Sequence, residues 1–463
     1  MSTSKKQFKG ENSNSSENWS FLINEILRVT SNFLKNSVDF QDGNILVVNN
    51  QPVLKLSDYR QFYVIAVGKA APHMLADFVS MFPGKTAKSM CIFPESISND
   101  HLETILTPAI MGKTAVIASS HPLTTEKSFF TGKRLIKFLQ ETESRDLTFF
   151  LISGGTSALV EAPAISASLY RESMAVLYRA GLTIHQLNTI RVALSRIKGG
   201  QALRHLKGDA CSLILSDVPG DNLAVIGSGL TVPRSVFREE LSSIVDVIDP
   251  VIRQELPTGF FRYIDGFESI EIVLNNRTVK NLLIGCNHDL LACLEPVLQN
   301  RGFNTLIITS SLQGSVYDVA SVIYSIIEEI TRFGKPVKTP ACLLLGGETT
   351  VTVEKGGKGG RNQELCLAIG LKLRELINEK NSITIICFGT DGMDGNSDYA
   401  GAIITRKTIT PEEEHIVRKS LKEHDSTGYL LRKDNCLIKT GPTGTNVMDA
   451  VIIVIEKLEK SSN

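Results

Sequence analysis

The stretch "TFFLISGGTSAL", Thr148 to Leu159, decides how this chain folds. Its first half is apolar without alternation, which suits a strand buried on both faces rather than one with a wet side. Its middle is turn chemistry, and its last residues can open a helix capped by Thr156. Strand, glycine turn and helix form the repeating unit of an α/β fold with parallel strands.

The same unit recurs on both sides of it. Upstream lie "FYVIAVG" (62–68), "SMCIFP" (89–94) and "AVIASS" (115–120); downstream lie "CSLILSD" (211–217), "NLLIG" (281–285), "TLIITS" (305–310), "ACLLLGG" (341–347), "TIICFGT" (384–390) and "VIIVIE" (451–456). Helical patterning falls between them, over 71–82, 124–141, 168–197, 287–301, 314–333 and 361–377. A further helix is expected from Trp19 to Leu34, with Phe21, Leu22, Ile26, Val29 and Phe33 at helical spacing. The segment 238–259 has no strand-like run and reads as a bridge between two lobes. The chain therefore divides into a polar tail over 1–17 expected to be disordered, an N-terminal domain over 18–260 and a C-terminal α/β domain over 261–463.

Composition narrows the function. Lys plus Arg and Asp plus Glu both number 49 in 463 residues, so no global charge points to nucleic acid or a membrane surface. The eight cysteines form no C-x-x-C pair, and three of them sit inside apolar runs, as expected in a reducing compartment without a zinc or disulfide framework. No apolar leader or membrane-length run is present, so a cytoplasmic location is expected.

Polar chemistry gathers where the strands end, which is where open α/β sheets bind ligands. Those ends read Gly68-Lys69-Ala70, Ser153-Gly154-Gly155-Thr156-Ser157, Ser216-Asp217, Gly346-Gly347-Glu348 and Thr390-Asp391-Gly392. Each has a plainer reading as a solvated lysine, a tight turn or an Asx cap, but five together argue for a polar cleft. "TDGMDGNSD" (390–398) spaces its aspartates like a calcium loop, yet Ala402 stands where the bidentate glutamate belongs. Asp391 and Asp394 stay open as Mg²⁺ or hydroxyl ligands or as turn-formers. "GKT" occurs twice without the earlier glycine of a P-loop, and "GKAAPHM" is not a dinucleotide fingerprint. On a helix over 185–203, Arg191, Ser195 and Lys198 would share one face, either solvated or forming a cationic wall. "VEKGGKGGRNQEL" (353–365) places a glycine nest between the alternating run 349–355 and a helix, a geometry that can hold an anion. Arg361 would lie in that helix's first turn, where a cation opposes the dipole, so a functional role is favoured there.

The order of these motifs resembles the two-domain glycerate kinases whose C-terminal region is called MOFRL. The segments that carry the likeness are "VIAVGKAAPHM", "SSHPLTTEKS", "FLISGGTSALVEAPA", "LNTIRVALSRIKGGQAL", "LILSDVPGDNLAVIGSGLTVP", "CLLLGGETTVTVEKGGKGGRNQELCLA", "FGTDGMDGNSDYAGA" and "TGPTGTNVMDA". The resemblance implies a large Rossmann-like N-terminal domain, a smaller α/β C-terminal domain with its MOFRL region over about 340–456, and a cleft between them. It also implies ATP- and Mg²⁺-dependent phosphorylation of D-glycerate to 2-phosphoglycerate. Lys69 and Arg361 stand where the family has its catalytic cations. Asp217 is expected to act with them, Asp391 being the alternative and the candidate metal ligand. Gly68, Ser153, Gly154, Gly155, Thr156, Ser157, Arg191, Lys198, Glu348, Gly359, Gly360, Asn362 and Gln363 are expected to bind nucleotide or substrate. A homodimer is compatible with this reading. Two other readings are an oxidoreductase acting on hydroxypyruvate and a non-catalytic small-acid binder.

Overall fold

The computed structural model describes residues 15–84, 86–274, 276–352, 356–377 and 380–458. The tail expected to be disordered lies outside the described residues up to 14, and a helix, Ser15–Thr30, starts within its last positions. The chain folds as two compact units, one of Ser31–Cys286 with Gly444–Val447, the other of the remaining segments.

The first unit opens with an antiparallel meander absent from the sequence expectations: β1 (Val38–Gln41), β2 (Ile45–Val48) and β3 (Gln51–Lys55). Its second turn is Asn49-Asn50, both at positive φ, the backbone of a two-residue hairpin loop. Six parallel strands follow: β4 (Gln61–Val67), β5 (Thr86–Pro94), β6 (Thr114–Ser119), β7 (Asp146–Ile152), β8 (Asp209–Leu215) and β9 (Val279–Gly285). They are ordered β6-β5-β4-β7-β8-β9, with every neighbouring pair parallel. The chain moves outward from β4 to β6 and then returns to start again at β7. This is doubly wound order, and its reversal point lies between β4 and β7, where such sheets bind ligands.

The division between units falls at Cys286, later than the expected boundary near 260. The run "NLLIG" forms β9 and pairs in parallel with β8, so it belongs to the first sheet. The segment taken as a bridge instead makes helices Arg238–Asp246, Pro250–Gln254 and Thr258–Asp265. Their Leu241, Ile244, Val245, Phe260 and Ile264 share a core with Tyr170, Met174 and Ile190 of the same unit. The helix expected over 168–197 is two helices, Ala167–Leu177 and Ile184–Ala193. Tyr178 caps the first, Gly181 at φ +66° turns the chain between them, and Thr183 with Gln186 makes a capping box for the second.

The second unit holds a mixed sheet of β10 (Asn304–Leu312), β11 (Ala341–Gly347), β12 (Asn381–Gly389), β13 (Gly401–Thr405), β14 (Leu437–Ile438) and β15 (Asp449–Lys457). Its order is β10-β11-β15-β12-β13-β14, and only β10 and β11 run parallel. The C-terminal strand β15 is inserted antiparallel between β11 and β12. Continuous apolar runs thus mark strands without fixing their direction. Helices Val316–Phe333 and Arg361–Leu373 share the core with these strands through Ile323, Ile327, Leu367 and Ile369. Within the run 349–355, residues 349–352 form no strand beyond a single bridge from Thr350 to Ser315, and residues 353–355 lie outside the described residues. The N-terminal helix belongs to this unit, with Trp19 5.9 Å from Phe303 and Arg301 stacked 3.6 Å over Phe21. Among the described residues no helix is long and apolar enough to cross a membrane.

Candidate active site

Two clusters of polar residues stand out, one in each unit. The first occupies the reversal point of the parallel sheet. After β4 the chain turns at Gly68, whose φ of +128° and close approach to Ser153 exclude a side chain; a Cβ there would lie 2.1 Å from Ser153 Oγ. The Lys69 amide donates to the Gly154 carbonyl (2.8 Å), and the Ala70 amide donates to Ser153 Oγ (3.0 Å). Thr156 Oγ1 donates back to the Val67 carbonyl (3.0 Å). The ends of β4 and β7 are therefore stitched together, with Lys69 on one and Ser153–Ser157 on the other.

Two further side chains close on this loop. A Cβ on Gly154 would lie 1.9 Å from Asp217 Oδ2, and one on Gly155 would lie 2.9 Å from His121 Cδ2 and 3.4 Å from Lys69 Cγ. Asp217 follows β8 and accepts a hydrogen bond from Asn446 Nδ2 (3.3 Å). Asn446 comes from the short excursion Gly444–Val447, the only part of the C-terminal third that joins this unit. Asn446 carries no signal of its own in the sequence, although the turn before it is marked by Gly441 and Gly444, both at positive φ. His73 packs where a Cβ on Gly444 would lie, 2.2 Å away, and its burial lowers the imidazole pKa, favouring the neutral ring.

Arg191 and Lys198 do not share a helical face, since the helix stops at Ala193. Arg191 donates to Asn188 Oδ1 (3.1 Å), which also accepts from the Ser228 hydroxyl (3.2 Å); Ser228 in turn hydrogen-bonds Ser157 (2.8 Å). Arg191 thus reaches the loop through a relay. Lys198 is 1% exposed and ion-paired to Glu161 (2.6 Å), so it is neither a solvated face nor an open cationic wall.

The second cluster surrounds Arg361, the first residue of its helix. The guanidinium meets Asp449 bidentately, Nε to Oδ2 at 2.6 Å and Nη2 to Oδ1 at 3.1 Å, and its Nη1 meets Glu348 Oε1 at 2.7 Å. Burial alone would lower its pKa, but the carboxylates of Asp449, Glu348 and Asp394 outweigh that and hold it above its ordinary value. Asp449 opens β15 at the level of Gly347 on one neighbour and Gly389 on the other. It was missed because an aspartate before an apolar run reads as a strand boundary.

The glycine nest is used differently from the expectation. Asp394, 2% exposed, accepts the amides of Asn362 (3.0 Å) and Gln363 (2.9 Å), so an internal carboxylate occupies the helix N-terminus. Burial pushes the Asp394 pKa up to about 6, the two amides pulling against it. The Gly359 amide donates to Asn396 Oδ1 (2.8 Å), and a Cβ on Gly360 would lie 2.3 Å from Asp394. The buried Gln363 side chain donates to Ser397 Oγ (2.8 Å) and accepts from Thr427 Oγ1 (2.6 Å). Gly359, Gly360, Asn362 and Gln363 therefore brace the loop that aims Arg361. Asp391 Oδ1 accepts the Met393 amide (3.1 Å), the Asx turn that was one of its two readings. Among the described residues no group of three or more His, Cys, Asp or Glu is arranged to hold a metal ion.

A doubly wound sheet with a lysine and a glycine–serine loop at its reversal point, together with a fixed arginine in a second α/β unit, defines a two-domain α/β protein. The chain belongs to the family so built: residues 27–262 match a domain of unknown function, DUF4147, and residues 341–449 match the MOFRL family. A glycerate 2-kinase of Pyrococcus horikoshii is 34% identical over 94% of this chain and 96% of its own. A crystal structure of glycerate kinase from Thermotoga maritima superposes with a TM-score of 0.78 at 29% identity, covering 95% of this chain and all of the other. An Agrobacterium vitis relative, provisionally named a hydroxypyruvate reductase, is 33% identical over 74% of this chain and 89% of its own.

Proposed function

We propose that this protein transfers the γ-phosphoryl group of ATP to the 2-hydroxyl of D-glycerate, giving 2-phosphoglycerate. The observation that carries the reading is Lys69 and the Ser153–Ser157 loop at the sheet's reversal point, with Asp217 against Gly154. Phosphoryl transfer needs charge neutralisation and positioning more than covalent chemistry. Lys69 neutralises the transferring group, and the loop's backbone amides, beside Asp217 and His121, receive phosphate or carboxylate oxygens. Asp217, steadied by Asn446, orients the attacking hydroxyl and takes up its proton.

Arg361 stabilises charge in the same reaction. Three of its five N–H groups face carboxylate oxygens, so its plane is set before substrate arrives. Mg²⁺, when bound with ATP, would supply charge neutralisation at the phosphates. Such an ion needs few protein ligands beside the phosphates, and Asp391 would be the carboxylate that holds it. A cytoplasmic location and a homodimer belong to the same reading; sedimentation of the purified protein tests the second.

Phosphorus NMR of the product formed from D-glycerate and MgATP tests the assignment. A 2-phosphate resonance is expected; a 3-phosphate, or no product, overturns it. The Agrobacterium relative's name favours a second reading, reduction of hydroxypyruvate. Against that stands "GKAAPHM" after β4, where a dinucleotide site needs its glycine fingerprint. NADH oxidation with hydroxypyruvate discriminates the two.

A further inference from the structure

We propose that Lys198 is a positioning residue whose ammonium holds the Ser157 carbonyl from below and so keeps the Ser153–Ser157 loop in register with Lys69. The inference rests on the reading of that loop as part of the kinase site.

Lys198 and Glu161 are 1% and 0% exposed, and the ammonium donates to Glu161 Oε2 (2.6 Å) and to the Ser157 carbonyl (2.9 Å). The glutamate is further satisfied by the Tyr170 hydroxyl on Oε2 (2.7 Å) and the Ser195 hydroxyl on Oε1 (2.6 Å). A buried ion pair of this kind adds little net stability over a well-packed apolar pair, because desolvation offsets the attraction. What an apolar pair cannot do is donate a hydrogen bond to a loop carbonyl.

The Ser157 carbonyl needs such a donor. It lies in the four-residue helix Thr156–Leu159, and the amide that would continue that helix onto it belongs to Glu161. That amide donates instead to the Ser128 carbonyl (3.1 Å). Lys198 takes the vacated place. At the other end of the loop, Gly154 accepts the Lys69 amide and Ser153 the Ala70 amide. The loop is thus clamped between Lys69 in front and Lys198 behind, with Ser228 holding the Ser157 hydroxyl from the side.

The test compares two full-length variants. Glu161→Gln removes the carboxylate but leaves the Lys198 amine able to donate to Ser157. Lys198→Met with Glu161→Gln also removes that donor while leaving no buried charge unpaired. Hydrogen–deuterium exchange over 153–159 and steady-state kinetics with D-glycerate and MgATP are measured on both, with thermal melts as the folding control. Faster loop exchange and a kcat roughly 10–100-fold lower are expected in the double variant only, since a displacement near 1 Å carries that cost. Equal exchange and kcat in the two variants would show an ordinary structural pair and overturn the proposal. Should the double variant not fold, Ser228→Ala removes the lateral hold together with the hydroxyl's bond to Asn188; unchanged loop exchange there would count against the clamp. The exchange measurement stands even if glycerate is not the substrate, so the two readings fail separately.

Discussion

Gly154→Ala is the sharpest probe of the site. The added Cβ would lie 1.9 Å from Asp217 Oδ2 and 2.5 Å from its Cγ, contacts that real methyl groups never make. Gly154 is not among the positive-φ glycines, so the backbone accepts alanine and the whole effect is steric. The carboxylate must retreat by about 1 Å or more, which also strains its 3.3 Å contact with Asn446. Because a side-chain end moves rather than backbone, the stability loss should stay near 1 kcal/mol, the low end for overpacking. Misplacing a reacting group by 1 Å can cost about 10²-fold, so activity should fall far more than stability. ADP release dependent on D-glycerate, read beside a thermal melt, measures both. A folded Gly154→Ala protein with kcat/KM within threefold of the parent would refute the claim that Asp217 acts from its place beside this loop.

Other outcomes follow from the same geometry. Lys69→Met and Arg361→Met should each lower kcat by about 10²–10³-fold in folded protein, and near-parental turnover in either would remove that residue from the mechanism. Asp449→Asn keeps one acceptor for Arg361 but loses the charge; denaturant unfolding should show a loss on the order of 2 kcal/mol, below the cost for a fully buried pair because Arg361 is partly exposed. Asp394 holds its proton to about pH 6 when folded against an ordinary 3.8, so its contribution to stability is full below pH 4 and lost as pH rises through 6. That amounts to about 3 kcal/mol, and the difference in unfolding free energy between the parent and Asp394→Asn should follow this slope. A difference flat between pH 4 and 7 would contradict the raised value.

The strands were legible as unbroken apolar runs, and all ten of those runs became strands, including the edge strands β6, β9 and β10, which are only partly buried. Their direction was not, since Val451 to Ile455 carries the same pattern beside antiparallel neighbours as Leu147 to Ile152 does beside parallel ones. The meander over 38–55 was missed because its strands are only four or five residues long, although Ile45–Val48 is wholly apolar and Asp42-Gly43 and Asn49-Asn50 announce its turns. Lys69, Asp217 and the glycine–serine loop could be placed from strand ends alone. Asp449, Asn446 and Glu161 could not, because each acts through a partner distant in sequence. The glycine nest shows the limit of local reading: its geometry suits an anion, and the anion that fills its helix terminus is the chain's own Asp394.

The excursion Gly444–Val447 bears on how such a protein can be divided. Asn446, which steadies Asp217, and Asp449, which aims Arg361, are separated by only Val447 and Met448 in the chain. A fragment ending at Cys286 would lack Asn446, and one beginning at Asn287 would lack the helix Ser15–Thr30 that its own fold uses. No single crossover therefore yields two complete modules. Shuffled chimeras of relatives should retain function only when the last twenty or so residues come from the parent that supplies both aspartate neighbourhoods, and a circular permutant opened near 286 should be tolerated better than a split at the same place.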